Sequence, residues 1–600
     1  MAVTEALKEH QQRQADQAAQ APPVEAGWFG STERPIFGTF HPAAQPARDC
    51  VVVLCNPFGY DVMITHYAYR HLAERLAKAG IAALRFDYFG TGDSGGDDAS
   101  PERVEEWLAS IHAACAEAKR RSGASSVALF GLRVGGLLAT VAAQRAPVDD
   151  LALLGPVTSG RAAVRELRAL RMLQPPIPAP DNPEGKAHED ENFGFLLTEP
   201  MRAALGKLEP LKDKAAPAKR ALVIARDDVP GGEAALVEHL KGAGVDATLS
   251  TTPGYALALR GDPYTCELPD AAWNEIVSWL LAAHPNAPRL HLAASGSSSS
   301  QTASARSEAV RIGGLFGVLT EPTEPRGMRP KTAVVLLNVG ANHRIGSNRM
   351  YVRWADAWAA LGFRVLRLDF SGIGDSPVTA GRREKDVYSQ LGMSEARRAI
   401  DFLATLGADR FVLAGICSGA FVAFYGALQD PRVSGIILMN PPTFHWKEGD
   451  SLELRTRNSF QATNFYKQRA FRADTWKRLV RGDIHVRAIG LELGKRALVT
   501  ARNKVTEQAI RFGVMREPND IARGFHELGA RGCESLVVYG THDGGVDVME
   551  QHLGSGARKM RHDKRFHLAF LEGTDHTFTP RNAQDRLQAL LSEHLLAKFG

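Results

Sequence analysis

At residues 410–428 the chain reads RFVLAGICSGAFVAFYGAL. A continuous apolar run, RFVLA, breaks at Gly415-Ile416-Cys417-Ser418-Gly419 and gives way to AFVAFYGAL, an apolar stretch that reads as a helix. An apolar run that short, without polar alternation, suits a strand covered on both faces of a parallel sheet. The Gly-x-Cys-x-Gly between the two then reads as a strand–turn–helix elbow with a nucleophile at its tip. The flanking glycines let helix and strand approach without a Cβ between them, and the tip is held strained. A helix amino terminus favours negative charge, which helps a thiolate at Cys417. The backbone N–H of Ser418 points at the same spot and supplies half of an oxyanion hole. A buried Cys in an ordinary strand–helix turn is the alternative, and the rest of the chain separates the two.

Outward from the elbow, the chain repeats itself. AVVLLNVGAN (333–342), WADAWAALGFRVLRLDFSGIGDSP (354–377) and FVLAGICSGAFVA (411–423) answer VVVLCNPFGY (51–60), LAERLAKAGIAALRFDYFGTGDSGG (72–96) and VALFGLRVGGLLA (127–139). Asn56 and Asn338 are 282 residues apart, as are Asp87 and Asp369, while Gly131 and Gly415 are 284 apart. A nearly constant offset over three blocks marks a duplication. In both copies β-branched runs alternate with amphipathic stretches, the pattern of right-handed βαβ crossovers in an α/β fold. LRLDFSGIGDS fits a strand and a Gly-rich loop at the carboxyl edge of the sheet, where Asp375 and Ser376 read as turn-forming.

Composition narrows the class. The 600 residues are 44% hydrophobic and 23% charged, which excludes a largely disordered or fibrous chain. A net charge of +5 is too small at this length to indicate a nucleic-acid binder. The cysteines Cys50, Cys55, Cys115, Cys266, Cys417 and Cys533 form no CxxC pair, so neither a disulfide framework nor a metal site is expected, and a cytoplasmic location fits them. The opening MAVTEALKEHQQRQADQAAQAPP is polar, with no apolar signal segment, and no uncharged apolar run reaches membrane-spanning length.

Two partners should follow the nucleophile in chain order, an acid and then a histidine. VVYGTHDGGVD (537–547) places Asp543 just beyond a strand, and FLEGTDHTFTP (570–580) places His576 in the turn after the next one. His576 would deprotonate Cys417, and Asp543 would orient the imidazole and stabilise its charged form. The second oxyanion donor is expected at the backbone N–H of Gly340 or Ala341, after the first long strand of the second copy. His343, Arg344 and Arg349 in the following loop are candidates to line a substrate pocket. The first copy departs from this: its elbow reads Gly131-Leu132-Arg133-Val134-Gly135, and a guanidinium cannot attack a carbonyl. Aligned by sequence, Asp228 stands at the acid and Leu257 opposite His576. Arg133 is expected either to pair with Asp228 as a structural bridge or to clamp an anion. Between the end of the apolar run IILMNPP (436–442) and the acid turn of the second copy, residues 441–530 carry 17 Lys and Arg against 10 Asp and Glu. That basic lid suits an anionic acyl donor such as a coenzyme A thioester or an acidic acyl carrier protein.

These motifs resemble the α/β-hydrolase superfamily, its serine-aminopeptidase-like group in particular. The second half (GANHRIGSNRMY, VLRLDFSGIGDS, GICSGA, DPRVSGIILMNPP) is similar to type-1 exosortase-A-associated hydrolases, and the first (ALRFDYFGTGDSGGD, FGLRVGGLLA, NFGFLLTEPM) to the type-2 group. The resemblance implies two tandem α/β-hydrolase-fold domains, each a mostly parallel sheet with helices on both faces and an inserted helical lid. The expected organisation is a flexible tail over 1–30, a degenerate domain over 31–290, a Ser-rich linker over 291–310 and a catalytic domain over 311–600 with its lid at about 444–530. The implied chemistry is acyl transfer through a Cys-His-Asp triad, with hydrolysis of an ester or thioester as its outcome. The alternatives are an acyltransferase with an amine or alcohol acceptor, and a non-catalytic binding scaffold. No cofactor, metal, nucleic acid or membrane span enters any of these, and the two domains are expected to pair as an intramolecular pseudo-dimer.

Overall fold

The computed structural model describes residues 23–179, 182–186, 188–287, 297–302, 304–323, 331–379, 382–446 and 521–600. The strands of the first half are β1 Glu25–Gly30, β2 Pro35–His41, β3 Cys50–Cys55, β4 Ala82–Phe86, β5 Ser126–Leu132, β6 Val148–Leu154, the short hairpin β7 Glu191–Asn192 and β8 Phe195–Leu196, β9 Ala218–Ile224 and β10 Asp246–Ser250. All but the hairpin join one sheet in the order β1-β2-β4-β3-β5-β6-β9-β10. β1 and β2 run antiparallel and the rest is parallel. The second half builds β11 Ser299–Gln301, β12 Ala305–Ile312, β13 Leu315–Pro322, β14 Thr332–Leu337, β15 Arg364–Leu368, β16 Arg410–Ile416, β17 Val433–Met439, β18 Glu534–Gly540 and β19 Phe566–Leu571. Its sheet runs β11-β12-β13-β15-β14-β16-β17-β18-β19, so the same connectivity recurs after a longer antiparallel edge.

Each sheet is covered on both faces, which is why its central strands are apolar throughout. Val51 and Val53 of β3 pack into one buried cluster while Cys50, Val52 and Leu54 pack into another. Val335 and Leu337 of β14 divide from Val334 and Leu336 in the same way. Each such buried side chain contributes about 1.5–3 kcal/mol of transfer free energy. The crossover helices include Tyr60–Lys78 and Val134–Arg145 in the first unit, and Met350–Ala360 and Ser418–Gln429 in the second. Two α/β units in tandem are therefore observed.

The expected boundaries need correction. Residues 25–30, assigned to the tail, form β1, because Trp28 and Phe29 bury their rings against Phe37 and Ile36. The Ser-rich stretch is not a free linker throughout. Ser299–Gln301 pairs with Glu308–Arg306 as an edge strand, where only backbone groups are needed, and Ala305–Ile312 is a full strand. Trp28 N–H also donates to the Ser297 carbonyl at 2.8 Å, with Gly27 leaving room for it. The remainder of the tail, residues 1–22, the linker residues 291–296 and 303, and lid residues 447–520 lie outside the described residues.

The two units touch through matched groups. Arg85 of β4 pairs with Asp375 at 2.5 Å, and Arg367 of β15 pairs with Asp93. Arg85 and Arg367 are 282 apart, as are Asp93 and Asp375, so each Gly-rich loop offers its aspartate to the other unit's strand. Trp28, Phe37, Phe316 and Val318 form an apolar cluster beside them. The loop serines act locally: Ser94 and Ser376 each donate to a strand-end carbonyl, at Asp87 and Asp369, and accept an N–H from Phe37 and Phe316.

Candidate active site

β16 ends at Ile416, and Cys417 adopts φ 57°, ψ −116° before the helix Ser418–Gln429 begins. A left-handed conformation at a non-glycine residue costs about 1–3 kcal/mol and persists only where its surroundings hold it. Here the glycines make the turn feasible. A Cβ on Gly415 would stand 2.4 Å from the Gly419 backbone, and one on Gly419 would stand 2.9 Å from the carbonyls of Leu337 and Asn338. Cys417 is buried, 8% exposed, at the carboxyl end of β16.

Asp543 follows β18, and His576 lies in the turn after β19. The His576 Nδ1 group donates to Asp543 Oδ2 at 2.6 Å, and the Gly545 N–H donates to Asp543 Oδ1 at 2.8 Å. Burial alone would raise the Cys417 thiol, but the His576 charge, the Tyr388 hydroxyl and the Ser418 N–H together hold it below the ordinary thiol value. Burial opposes protonation of His576, yet Asp543 and the Cys417 thiolate hold its pKa well above the usual imidazole value. The opposite shifts describe a thiolate–imidazolium pair backed by a carboxylate. Cys417, Asp543 and His576 are thus brought together in one site.

Two contributors were not legible in the sequence. The Tyr388 hydroxyl lies 3.7 Å from Cys417 Sγ, and its ring stacks on Trp446 at 4.3 Å. It sits in the irregular segment RREKDVYS (382–389), which carries no periodic signal. Asn440, at φ 44°, donates to the His576 carbonyl at 2.9 Å and accepts the Gly540 N–H at 2.8 Å, tying the histidine turn to the acid strand. Its only cue is its place at the end of β17.

The oxyanion and pocket assignments change. The Gly340 N–H donates to Ser418 Oγ at 3.0 Å, so this donor is engaged by a neighbouring hydroxyl rather than free beside Cys417. Ala341 is half-buried in the same loop. His343, Arg344 and Arg349 do not line a pocket over Cys417. His343 stacks on His66 of the first unit with ring centroids 4.0 Å apart, and burial beside Arg344 lowers its pKa to about 4. Arg344 is buried among Asp93, Asp369 and Asp375 at 2.7–2.9 Å. Arg349 donates to the carbonyls of Gly92, Ser94 and Gly96. Loop charges facing a partner domain look, in sequence, like loop charges facing a substrate.

In the first unit Arg133 holds the same elbow geometry, φ 51°, ψ −118°. It pairs with Asp61 at 3.0 Å and Glu166 at 2.8 Å, not with Asp228, which is engaged by Arg226 at 2.7 Å. The sheet register also corrects the alignment. β9 and β18 are both seven-residue strands, and Ser250↔Ile224 matches Leu571↔Gly540. That correspondence sets Tyr255 opposite His576 and Asp227 opposite Asp543, displacing Leu257 and Asp228. Asp227 accepts the N–H groups of Gly254 and Ala256 at 2.7 Å each, and so holds the turn that carries Tyr255.

Another Cys–Asp–His group, Cys50, Asp150 and His284, gathers its polar atoms within 4.8 Å at the opposite, amino edge of the first sheet. There His284 Nε2 and Asp150 Oδ2 pair at 2.6 Å. Burial, with the Asp150 charge, pushes the fully enclosed Cys50 thiol far up, which leaves it unreactive.

The serine aminopeptidase (S33) family model matches residues 51–215, and the alpha/beta hydrolase fold model matches residues 333–574. No curated protein matches the chain. Among solved structures it is similar to Est1E from Butyrivibrio proteoclasticus, at 16% identity and TM-score 0.30 over 43% of this chain and 98% of that one. A putative hydrolase from Agrobacterium vitis S4 matches at 21% identity and TM-score 0.30, over 43% and 99%. A proline iminopeptidase of Mycobacterium smegmatis matches at 15% identity and TM-score 0.31, over 44% and 100%. With a hydrolase model matching each half and the same sheet order in both, the chain belongs to the α/β-hydrolase superfamily, as a tandem of two units.

Proposed function

We propose that the second unit is an ester or thioester hydrolase acting through a covalent acyl-enzyme on Cys417. One observation carries this reading: Cys417, His576 and Asp543 are aligned at the elbow, with the thiol pKa lowered and the imidazole pKa raised. The Cys417 thiolate adds to the acyl carbonyl, and the carbonyl π pair moves onto oxygen. The Ser418 N–H stabilises that oxyanion. Collapse expels the alcohol or thiol, which takes its proton from His576. Water then attacks the thioester, giving its proton to His576, and the second collapse releases the acid and the Cys417 thiolate.

A thioester acyl-enzyme remains reactive toward amines, so the cysteine nucleophile itself favours acyl transfer as a second reading. Coenzyme A or acyl-carrier thioesters are the donors to try first, because residues 441–530, expected as a lid from sequence, are basic in composition. Turnover of a panel of acyl thioesters and esters, with and without amines and alcohols, tests both. Release of free acid that is lost in Cys417→Ala supports the hydrolase, and product diverted to an added amine supports the transferase. A folded protein that turns over no donor and forms no acyl adduct fits the scaffold instead. Among the described residues no helix is long and apolar enough to cross a membrane.

A further inference from the structure

We infer that the first unit, which holds an arginine where the second has its nucleophile, positions the active site of the second, with Asp98 and Glu191 fixing the histidine turn. This rests on Cys417, His576 and Asp543 being the reacting groups.

Three segments of the second unit surround the reacting atoms, and all three are fastened to the first. The segment after β14, which carries Gly340, runs to Asn348 and Arg349, two successive non-glycine residues at φ 52° and 63°. Backbone of that kind stands only when over-determined, and the first unit supplies the restraint. Arg349 Nε and Nη2 donate to the carbonyls of Gly92 and Ser94 at 2.8 and 2.6 Å, and Arg344 Nη2 meets Asp93 at 2.8 Å.

The segment carrying Tyr388 is held at Glu384 and Lys385. Glu384 accepts from Tyr67 and Arg70 at 2.5 Å each. Lys385, at φ 59°, donates to the Cys266 carbonyl at 2.5 Å and lies over the Tyr67 ring.

The histidine turn is the third. Phe578, two residues past His576, has φ 55°. Arg581 closes the turn, donating through its side chain to both Asp98 oxygens at 2.7 and 3.2 Å, and through its backbone N–H to Glu191 at 3.0 Å. The tip of the β7–β8 hairpin presses so close that a Cβ on Gly194 would stand 2.2 Å from the Thr579 carbonyl oxygen. Each segment therefore combines a left-handed non-glycine residue with hydrogen bonds from the other unit. The retained role of the first unit is to hold these loops in register, while its own elbow is filled by the Arg133 ion pairs.

The test uses the full chain. Asp98→Asn removes the negative charge that Arg581 meets and keeps the shape, Asp98→Glu restores that charge, and Glu105→Gln breaks an exposed first-unit pair with Arg145 as a control. Alkylation of Cys417 by iodoacetamide, followed across pH by intact mass, reads the thiolate without any acyl substrate. The expected result for Asp98→Asn is a native circular dichroism spectrum, a thiolate midpoint raised by about one unit and, at pH below both midpoints, alkylation slowed about tenfold. Asp98→Glu should recover the profile, and Glu105→Gln should leave it unchanged. Should Asp98→Asn fail to fold, Glu384→Gln, whose side chain is 28% exposed, replaces it and is expected to shift the midpoint in the same direction. A folded Asp98→Asn protein with a lowered melting temperature and a wild-type alkylation profile would overturn the positioning role. A wild-type protein whose Cys417 titrates as an ordinary thiol would instead sink the proposed function, so the two failures are distinct.

Discussion

Replacing Asp543 by Asn isolates the contribution of the buried carboxylate. The pair it breaks joins Asp543 Oδ2 to His576 Nδ1 at 2.6 Å, and Asp543 is 7% exposed. With charge centres about 4 Å apart and an effective dielectric of about 20, the attraction is about 4 kcal/mol, equivalent to about three pKa units on His576. Asparagine can still accept the Gly545 N–H, but an amide N–H₂ turned toward Nδ1 favours the wrong imidazole tautomer. The thiolate at Cys417 then loses its counter-ion, and its pKa rises toward that of an ordinary buried thiol. Acylation at about pH 7 is expected to slow about 100- to 1,000-fold, and to recover as pH rises and the thiol ionises without help. Single-turnover acylation by an activated thioester, quenched and read by intact mass from pH 6 to 10, measures both effects. A rate within about threefold of wild type at pH 7, with the same pH profile, would refute the thiolate–imidazolium account.

Three other variants probe separate claims. Tyr388→Phe removes a hydroxyl that supports the thiolate, so acylation near neutral pH should slow about threefold to tenfold, with little change in urea stability. Arg133→Ala leaves Asp61 and Glu166 without their partner; denaturant unfolding should show a loss of about 1–3 kcal/mol while turnover stays within about threefold, and abolished turnover in a folded protein would contradict the pseudoenzyme reading. Asp87 is raised to about 7 by burial and by the Asp93 charge, so the folded chain holds a proton that the unfolded chain releases between about pH 4 and 7. Stability conferred by that proton falls as pH rises through this window, by up to about 4 kcal/mol, and thermal melts of Asp87→Asn should lack this fall between about pH 4 and 7.

What the sequence revealed follows from which signals are local. The duplication, the parallel α/β pattern and the order Cys417, Asp543, His576 rest on motifs whose glycines and strand ends can be read directly. The misread positions depend on distant partners. Sequence alone sets Leu257 opposite His576 because residues can be counted along a turn in several ways, and matching the β10–β9 register to that of β19–β18 places Tyr255 there instead. Arg344 and Arg349 have the charge of pocket residues, but their partners Asp93 and Gly92 lie more than 250 residues earlier, on a surface that exists only once both sheets have folded. Ser299–Gln301 lacks the apolar residues of a strand because an edge strand needs only its backbone ladder. Asn440 and Tyr388 act through a few specific contacts in irregular chain, where no periodicity announces them.

The central claim is that Cys417 carries the acyl group. Rapid mixing of the intact protein with acyl thioesters, acid quench and mass mapping of the adduct tests it most directly. The account predicts an acyl adduct on the peptide containing Cys417 in the wild-type protein, none in Cys417→Ala, and trapping of the adduct in a variant slowed at His576. An acyl group found on another residue, or turnover that survives in Cys417→Ala, would contradict it.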